Sequence, residues 1–143
     1  MDYLQTFAIS ASGMAVEKAR VDLTAVNIAN ASSTRGPDGT LFRPLRLISA
    51  SRASDFAALL ANQSSGGLQG AQIVAVRPVD TPPRLVLDPG HPDADERGFV
   101  SYPGINPVTE MVTLMTAVRI YEANVAALNA AKSMALRTLE LGS

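Results

Sequence analysis

The chain contains a single histidine, His91, and it stands among acids: Asp88, Asp93 and Asp95 are its near neighbours in sequence. An imidazole and three carboxylates at such spacing are donors that a metal ion could use. The same stretch, Asp88-Pro89-Gly90-His91-Pro92, is also a run of turn formers, in which two prolines and a glycine bend the backbone. We adopt the turn reading and assign no metal ligand. Asp93-Ala94-Asp95-Glu96-Arg97-Gly98 begins like a calcium loop, but its fifth position is Arg97 and its twelfth is Gly104, where a bidentate Glu is required. With no Cys, the sequence has no disulfide, no zinc–thiolate site and no thiol nucleophile. It has no Gly-x-Ser-x-Gly elbow, and Gly66-Gly67 lacks the Lys-Ser/Thr of a phosphate-cradling loop. Two carboxylates could still meet in space for sugar hydrolysis. No acid, however, is placed in an apolar run that would raise its pKa for that task. The reading is therefore no catalytic residue, no cofactor and no small-molecule substrate.

Composition points away from ligand chemistry as well. Apolar residues make up 47% of the chain, aromatic residues only 5%, and Trp is absent, which is the balance of packed helices rather than of an aromatic-lined pocket. A formal net charge of −1 gives no general attraction for nucleic acid or anionic lipid. No apolar run approaches the roughly 20 residues needed to span a bilayer. The start, Met1-Asp2-Tyr3-Leu4-Gln5, lacks the basic segment and apolar stretch of a cleaved signal peptide. The expectation is a protein that stays in the cytoplasm or leaves by a route without cleavage.

The elements follow from periodicity. Residues 2–30 carry Phe7, Ala11, Met14, Lys18, Val21, Ala25 and Ile28 in alternating steps of four and three, preceded by Leu4 and widened by Ile9, Val16, Leu23 and Val26. That spacing predicts an amphipathic helix. Asn30, Ser32, Ser33, Gly36, Pro37 and Gly39 end it. Residues 107–141 predict a second, longer helix. Asn106 is a good N-cap, Pro107 suits the first position, Glu110 sits in the positive first turn, and Gly142 closes the end. Its seam is Met111, Leu114, Val118, Tyr121, Val125, Leu128, Lys132, Ala135 and Leu139, a coiled-coil-like repeat. At 1.5 Å per residue this helix is roughly 50 Å long, too long for a small middle region to bury. Its stripe must pack on the first helix and on other subunits.

Between the helices, residues 40–50 read as extended, with Pro44 marking an edge strand. Residues 51–70, rich in Ser, Ala and Gly, read as a mobile loop. Runs at 72–79, 84–87 and 98–102, separated by Pro82-Pro83 and by the His91 turn, predict one small antiparallel sheet. The fold class expected is α+β: two long terminal helices packed coiled-coil-like around a small antiparallel β-rich middle. The division is 1–31, 32–105 and 106–143.

Two stretches carry a resemblance. Ile9-Ser10-Ala11-Ser12-Gly13-Met14 with Asn27-Ile28-Ala29-Asn30 resembles the N-terminal signature of the flagellar rod, hook and filament-junction family. Asn106-Pro107-Val108-Thr109-Glu110-Met111-Val112, Arg119-Ile120-Tyr121-Glu122-Ala123-Asn124-Val125 and Leu128-Asn129-Ala130-Ala131-Lys132 resemble the C-terminal one. The stretch from Asp88 to Asp95 is similar to the proximal-rod branch. A departure follows Asn30, where many relatives have Thr-Pro-Gly-Tyr and this chain has Ser32-Ser33-Thr34-Arg35.

The resemblance implies a structural subunit of a hollow basal-body rod. Its partners would be copies of itself, other rod proteins, the membrane-embedded ring and the distal rod. Export would pass through the flagellar type III apparatus, with the rod lying in the periplasm. The residues expected at assembly interfaces are Leu4, Phe7, Met14, Val21, Asn27, Ile28, Met111, Leu114, Val118, Tyr121, Asn124, Val125, Leu128 and Leu139. Lys18 and Lys132 break the two seams, each either pairing with an acid across an interface or laying its stem on apolar surface. Competing readings are a stand-alone coiled-coil adaptor and a small carboxylate hydrolase.

Overall fold

The computed structural model describes residues 3–36, 38–52 and 69–141. Most of the loop expected at 51–70 lies outside the described residues, as do Pro37 and Gly142. Helix α1 spans Tyr3–Ala29, strands β1 to β4 span Leu45–Ser51, Ala71–Pro78, Arg84–Leu87 and Phe99–Tyr102, and helix α2 spans Pro107–Leu141. The architecture is α+β, two long terminal helices with small antiparallel sheets between them.

The helix ends are set by the polar residues that flank them. Asn106 Oδ1 accepts from Val108 N at 3.0 Å, and the Glu110 N–H donates to Asn106 O, so Asn106 caps α2 with Pro107 first inside. At the end of α1 both the backbone N–H and the side-chain amide of Asn30 donate to Val26 O. The chain then turns through Gly36 and Gly39, the latter at φ 72°, a region open to glycine at little cost.

The strands pair differently from the single sheet expected. β1 pairs with β2, β3 pairs with β4, and the two ribbons are separate two-stranded sheets. Each is a local antiparallel pair, and Pro82-Pro83 lies between them. Along β1–β2 the register runs from Leu45↔Pro78 to Ile48↔Ala75 and resumes at Ser49↔Ile73. Val74 is thus the extra residue of a bulge on β2. In β3–β4 the Arg84 guanidinium lies 5.2 Å from the centre of the Tyr102 ring.

α1 and α2 run antiparallel along most of the length of α1. Asn27 meets Glu110, Gly13 meets Asn124, and the Tyr3 and Thr138 hydroxyls are 3.2 Å apart. The described core is small: Val16, Ala31, Val100, Ile105, Ala117 and Ala131 are its buried apolar residues, three of them alanines. No described helix is long and apolar enough to cross a membrane.

Candidate assembly interface

The most completely satisfied polar cluster joins three elements. Asn27, near the end of α1, is fully buried. Its amide donates to Leu45 O at 2.9 Å and accepts from Leu45 N at 2.9 Å. Leu45 therefore spends both backbone groups on a side chain instead of a strand, and the amide stands in for a third strand on the side of β1 away from β2. The same Asn27 Nδ2 donates to Glu110 Oε2 at 3.1 Å. Glu110, only 2% exposed, also takes a fork from Arg46: Nη2 to Oε1 at 2.6 Å and Nη1 to Oε2 at 3.1 Å. Burial works against ionisation of Glu110, but the Arg46 and Asn27 hydrogen bonds and the Arg46 charge outweigh it and hold the pKa below its ordinary value. α1, β1 and α2 are clamped together by one carboxylate.

Two further contacts fix α1. The Ser12 hydroxyl donates to Ile9 O and accepts from Ala71 N at 3.0 Å, which pins the start of β2. A Cβ on Gly13 would stand 2.9 Å from Asn124 Oδ1, so the glycine is what lets α2 approach there. The buried residues of α1 are Ser10, Val16, Glu17, Thr24 and Asn27. They face α2 at the stripe that carries Glu110, Ala117 and Ala131. The Glu17 carboxylate accepts from Arg20 Nε at 3.0 Å, and Arg20 reaches Ser49 Oγ at 3.5 Å. Glu17 and Glu110 are buried acids, and each is paired with a guanidinium. The most buried line of the helix pair is thus mostly small and polar, with Val16 among it, and several large apolar side chains are exposed.

A model of the flagellar basal body rod FlgEFG protein C-terminal family matches residues 96–141, from just before β4 through α2. The flagellar basal-body rod protein FlgC of Salmonella typhimurium is 38% identical over 142 residues, 99% of both chains. That of Bacillus subtilis is 33% identical over 149 residues, also 99% of both. That of Aquifex aeolicus is 40% identical over 142 residues, covering 98% of this chain and 97% of its own. The chain belongs to the FlgC family of flagellar basal-body rod proteins. These relatives are named flagellar basal-body rod proteins, and the two terminal signatures read in the sequence fit that family.

In this FlgC-family chain the expected interface residues divide into three sets. Leu4 and Leu139 are 77% and 71% exposed, and Met111 and Tyr121 are exposed as well. Phe7, Met14, Val21, Ile28, Leu114, Val118, Val125 and Leu128 are half-buried. Asn27 is neither. Its side chain is closed inside the chain, bonded to Leu45 and Glu110, which corrects its place among contacts between subunits. Asn124 is half-buried against Gly13, its amide donating to Ile120 O at 2.9 Å.

The expected seams lie beside the most buried line of the α1–α2 contact. At about 100° per residue, each lies roughly 60° round its helix from the buried stripe. The two seams meet side by side along one flank, where Lys18, Val21, Val118 and Tyr121 line an apolar groove. Lys18 pairs within its own helix, with Asp22 at 2.9 Å, and that carboxylate raises its pKa. Within the His91 turn Asp93 N donates to His91 Nδ1 at 3.0 Å, and the Asp93 carboxylate ties the turn to the segment after α1, accepting from the Thr34 hydroxyl at 2.8 Å and pairing with Arg35 at 3.4 Å.

The cluster of Asn27, Arg46 and Glu110 was missed by sequence reasoning. Its one visible signal is that Asn27 and Glu110 each sit in a terminal signature, where an interior partnership between the two ends of the chain is as natural a cause as an external one.

Proposed function

We propose that this chain builds the wall of the proximal rod through its terminal helices, in a hollow shaft that transmits torque and encloses an export channel. The observation that carries this reading is the inversion within the helix pair. Apart from Val16, small and polar residues lie inside, while the flank groove and many large apolar residues, among them Met111, Val112, Met115, Tyr121 and Leu139, are left outside. Exposed apolar surface on that scale marks contact with other protein. Neighbours in this reading are copies of the chain, other rod proteins, the basal ring at one end and the distal rod at the other. Secretion through the flagellar type III apparatus brings it to the periplasm.

The test is a pair of substitutions scored for swimming and for basal bodies in electron micrographs, with secreted protein as control. Val125→Asp puts a charge on the half-buried flank between Tyr121 and Leu128. Covered by a neighbour it costs on the order of several kcal/mol, so rods should not form. His91→Ala disturbs only a local turn and should leave cells swimming. Swimming Val125→Asp cells, or rods that form normally in cells lacking the chain, would overturn the reading; the second result would favour an adaptor bound to the basal body.

A further inference from the structure

The turn from Asp88 to Gly98 forms the tip of the second ribbon, and one side chain ties that tip to the rest of the chain. β3 and β4 approach neither helix and neither strand of the first ribbon. Val100, fully buried, anchors the middle of the ribbon. Among the described residues, the hydrogen bonds and ion pairs that leave the ribbon are those of the Asp93 carboxylate, to the Thr34 hydroxyl at 2.8 Å and to Arg35 at 3.4 Å. Both partners belong to the segment that follows α1.

The aim of that carboxylate depends on His91. Its Nδ1 accepts from Asp93 N at 3.0 Å, in the place that the side-chain oxygen of an Asx turn takes. An Asn there would accept at any pH. An imidazole accepts at Nδ1 only while neutral, with its hydrogen on Nε2. Histidine is the side chain whose charge changes between about pH 5 and 8. Once Nδ1 carries a proton, it meets the Asp93 N–H donor to donor, and that bond breaks. The charged groups about the ring are Asp88, Asp93, Asp95, Glu96 and Arg97 of the turn, with Arg35 beyond Asp93. Asp95 Oδ1 is already held by the N–H groups of Arg97 and Phe99. A charged ring therefore draws on Asp93 or Asp88, and an Asp93 carboxylate turned toward it is lost to Thr34 and Arg35. We infer that His91 and Asp93 form a pH-sensitive latch, in which neutral His91 holds the ribbon tip to the segment after α1 and protonated His91 releases it. The helix pair takes no part, so the latch stands independently of the rod reading.

Nuclear magnetic resonance on the full chain tests it between about pH 8 and pH 5. Two readouts are followed: protection of the Asp93 amide against hydrogen exchange, relative to the intrinsic rate at each pH, and the Overhauser contact between the Thr34 methyl and the Asp93 methylene. In the native chain both should fall together with the titration of the ring, the chain's single imidazole. The protection should drop about tenfold, the worth of one hydrogen bond. His91→Asn keeps an acceptor at the same place and does not titrate, so both readouts should hold across the whole range. His91→Ala has no acceptor and should show the released values even at the alkaline end. A native chain that keeps both readouts after its ring has titrated overturns the inference. So does a loss in His91→Asn equal to the native one, which assigns the change to another group, and so does a His91→Ala chain that keeps the Overhauser contact.

Discussion

The two ends of the helix pair are held by different means. Where α1 finishes and α2 begins, Asn27, Glu110 and Arg46 form a buried, bidentate cluster that also grips β1. At the other end the Tyr3 and Thr138 hydroxyls meet at an exposed site, and Leu4 and Leu139 are largely exposed. Local stability follows buried and satisfied contacts, so the pair is anchored at the β-ribbon end and loosely closed at its free end. The contrast suits a subunit whose free helix ends gain their partners on assembly. Hydrogen exchange on the isolated chain should show it directly: amides around Val21–Asn27 and Met111–Ala117 protected well above those around Leu4–Ala8 and Met134–Glu140. Equal protection at both ends would remove the contrast.

Substitutions should grade along the same line. Asn27→Ala carries the largest effect, because it opens a cavity, orphans the N–H and C=O of Leu45 and strips a donor from Glu110. About 3 kcal/mol is expected, read as a fall in the urea midpoint. Glu110→Ala follows at about 2–3 kcal/mol. It stays below the usual cost of breaking a buried pair because Arg46, 47% exposed at its side chain, can turn to water. Glu110 also makes the clamp acid-sensitive. Its folded pKa lies below its unfolded value, so its contribution is complete above about pH 4.5. That contribution is lost as pH falls through the depressed folded value. The native chain should therefore lose stability on acidification through that range more steeply than Glu110→Ala, and parallel curves would show that another group governs the transition.

Gly13→Val pushes on Asn124 mid-way along the pair and should cost about 1–3 kcal/mol. Asn124→Ala in the same chain should recover part of that loss, since the clash is with that side chain. Tyr3→Phe at the free end should change stability by no more than about 0.5 kcal/mol. A loss there equal to that of Glu110→Ala would mean that the free end is as firmly held as the other.

How much of this the sequence disclosed depends on how local each cause is. The caps at Asn106 and Asn30 and the strand Arg84–Leu87 were legible, because each is set by neighbours a few residues away. Two separate ribbons in place of one sheet were not, since the choice of strand partner is a tertiary matter. Periodicity located the apolar stripes of both helices, yet it cannot say whether a stripe faces the same chain or the next one. Here the most buried line of the chain's own contact lies roughly 60° from those stripes, on Ser10, Glu17 and Thr24, residues that a hydrophobic pattern passes over. The Asn27–Glu110–Arg46 cluster joins positions more than sixty residues apart. Gly13, unfavourable by propensity, finds its reason only in Asn124.

The β1–β2 ribbon is stopped on both sides. At the first rung of β1 the Asn27 amide occupies the backbone groups of Leu45 that an incoming chain would need, and β2 is interrupted by its bulge at Val74. Open ribbons with exposed Ile48, Ile73 and Val76 would otherwise template one another when many copies crowd together, as in amyloid. In the assembly proposed above, these two features disfavour backbone-to-backbone growth along the ribbon and leave side-chain packing between helices to set where a neighbour is added.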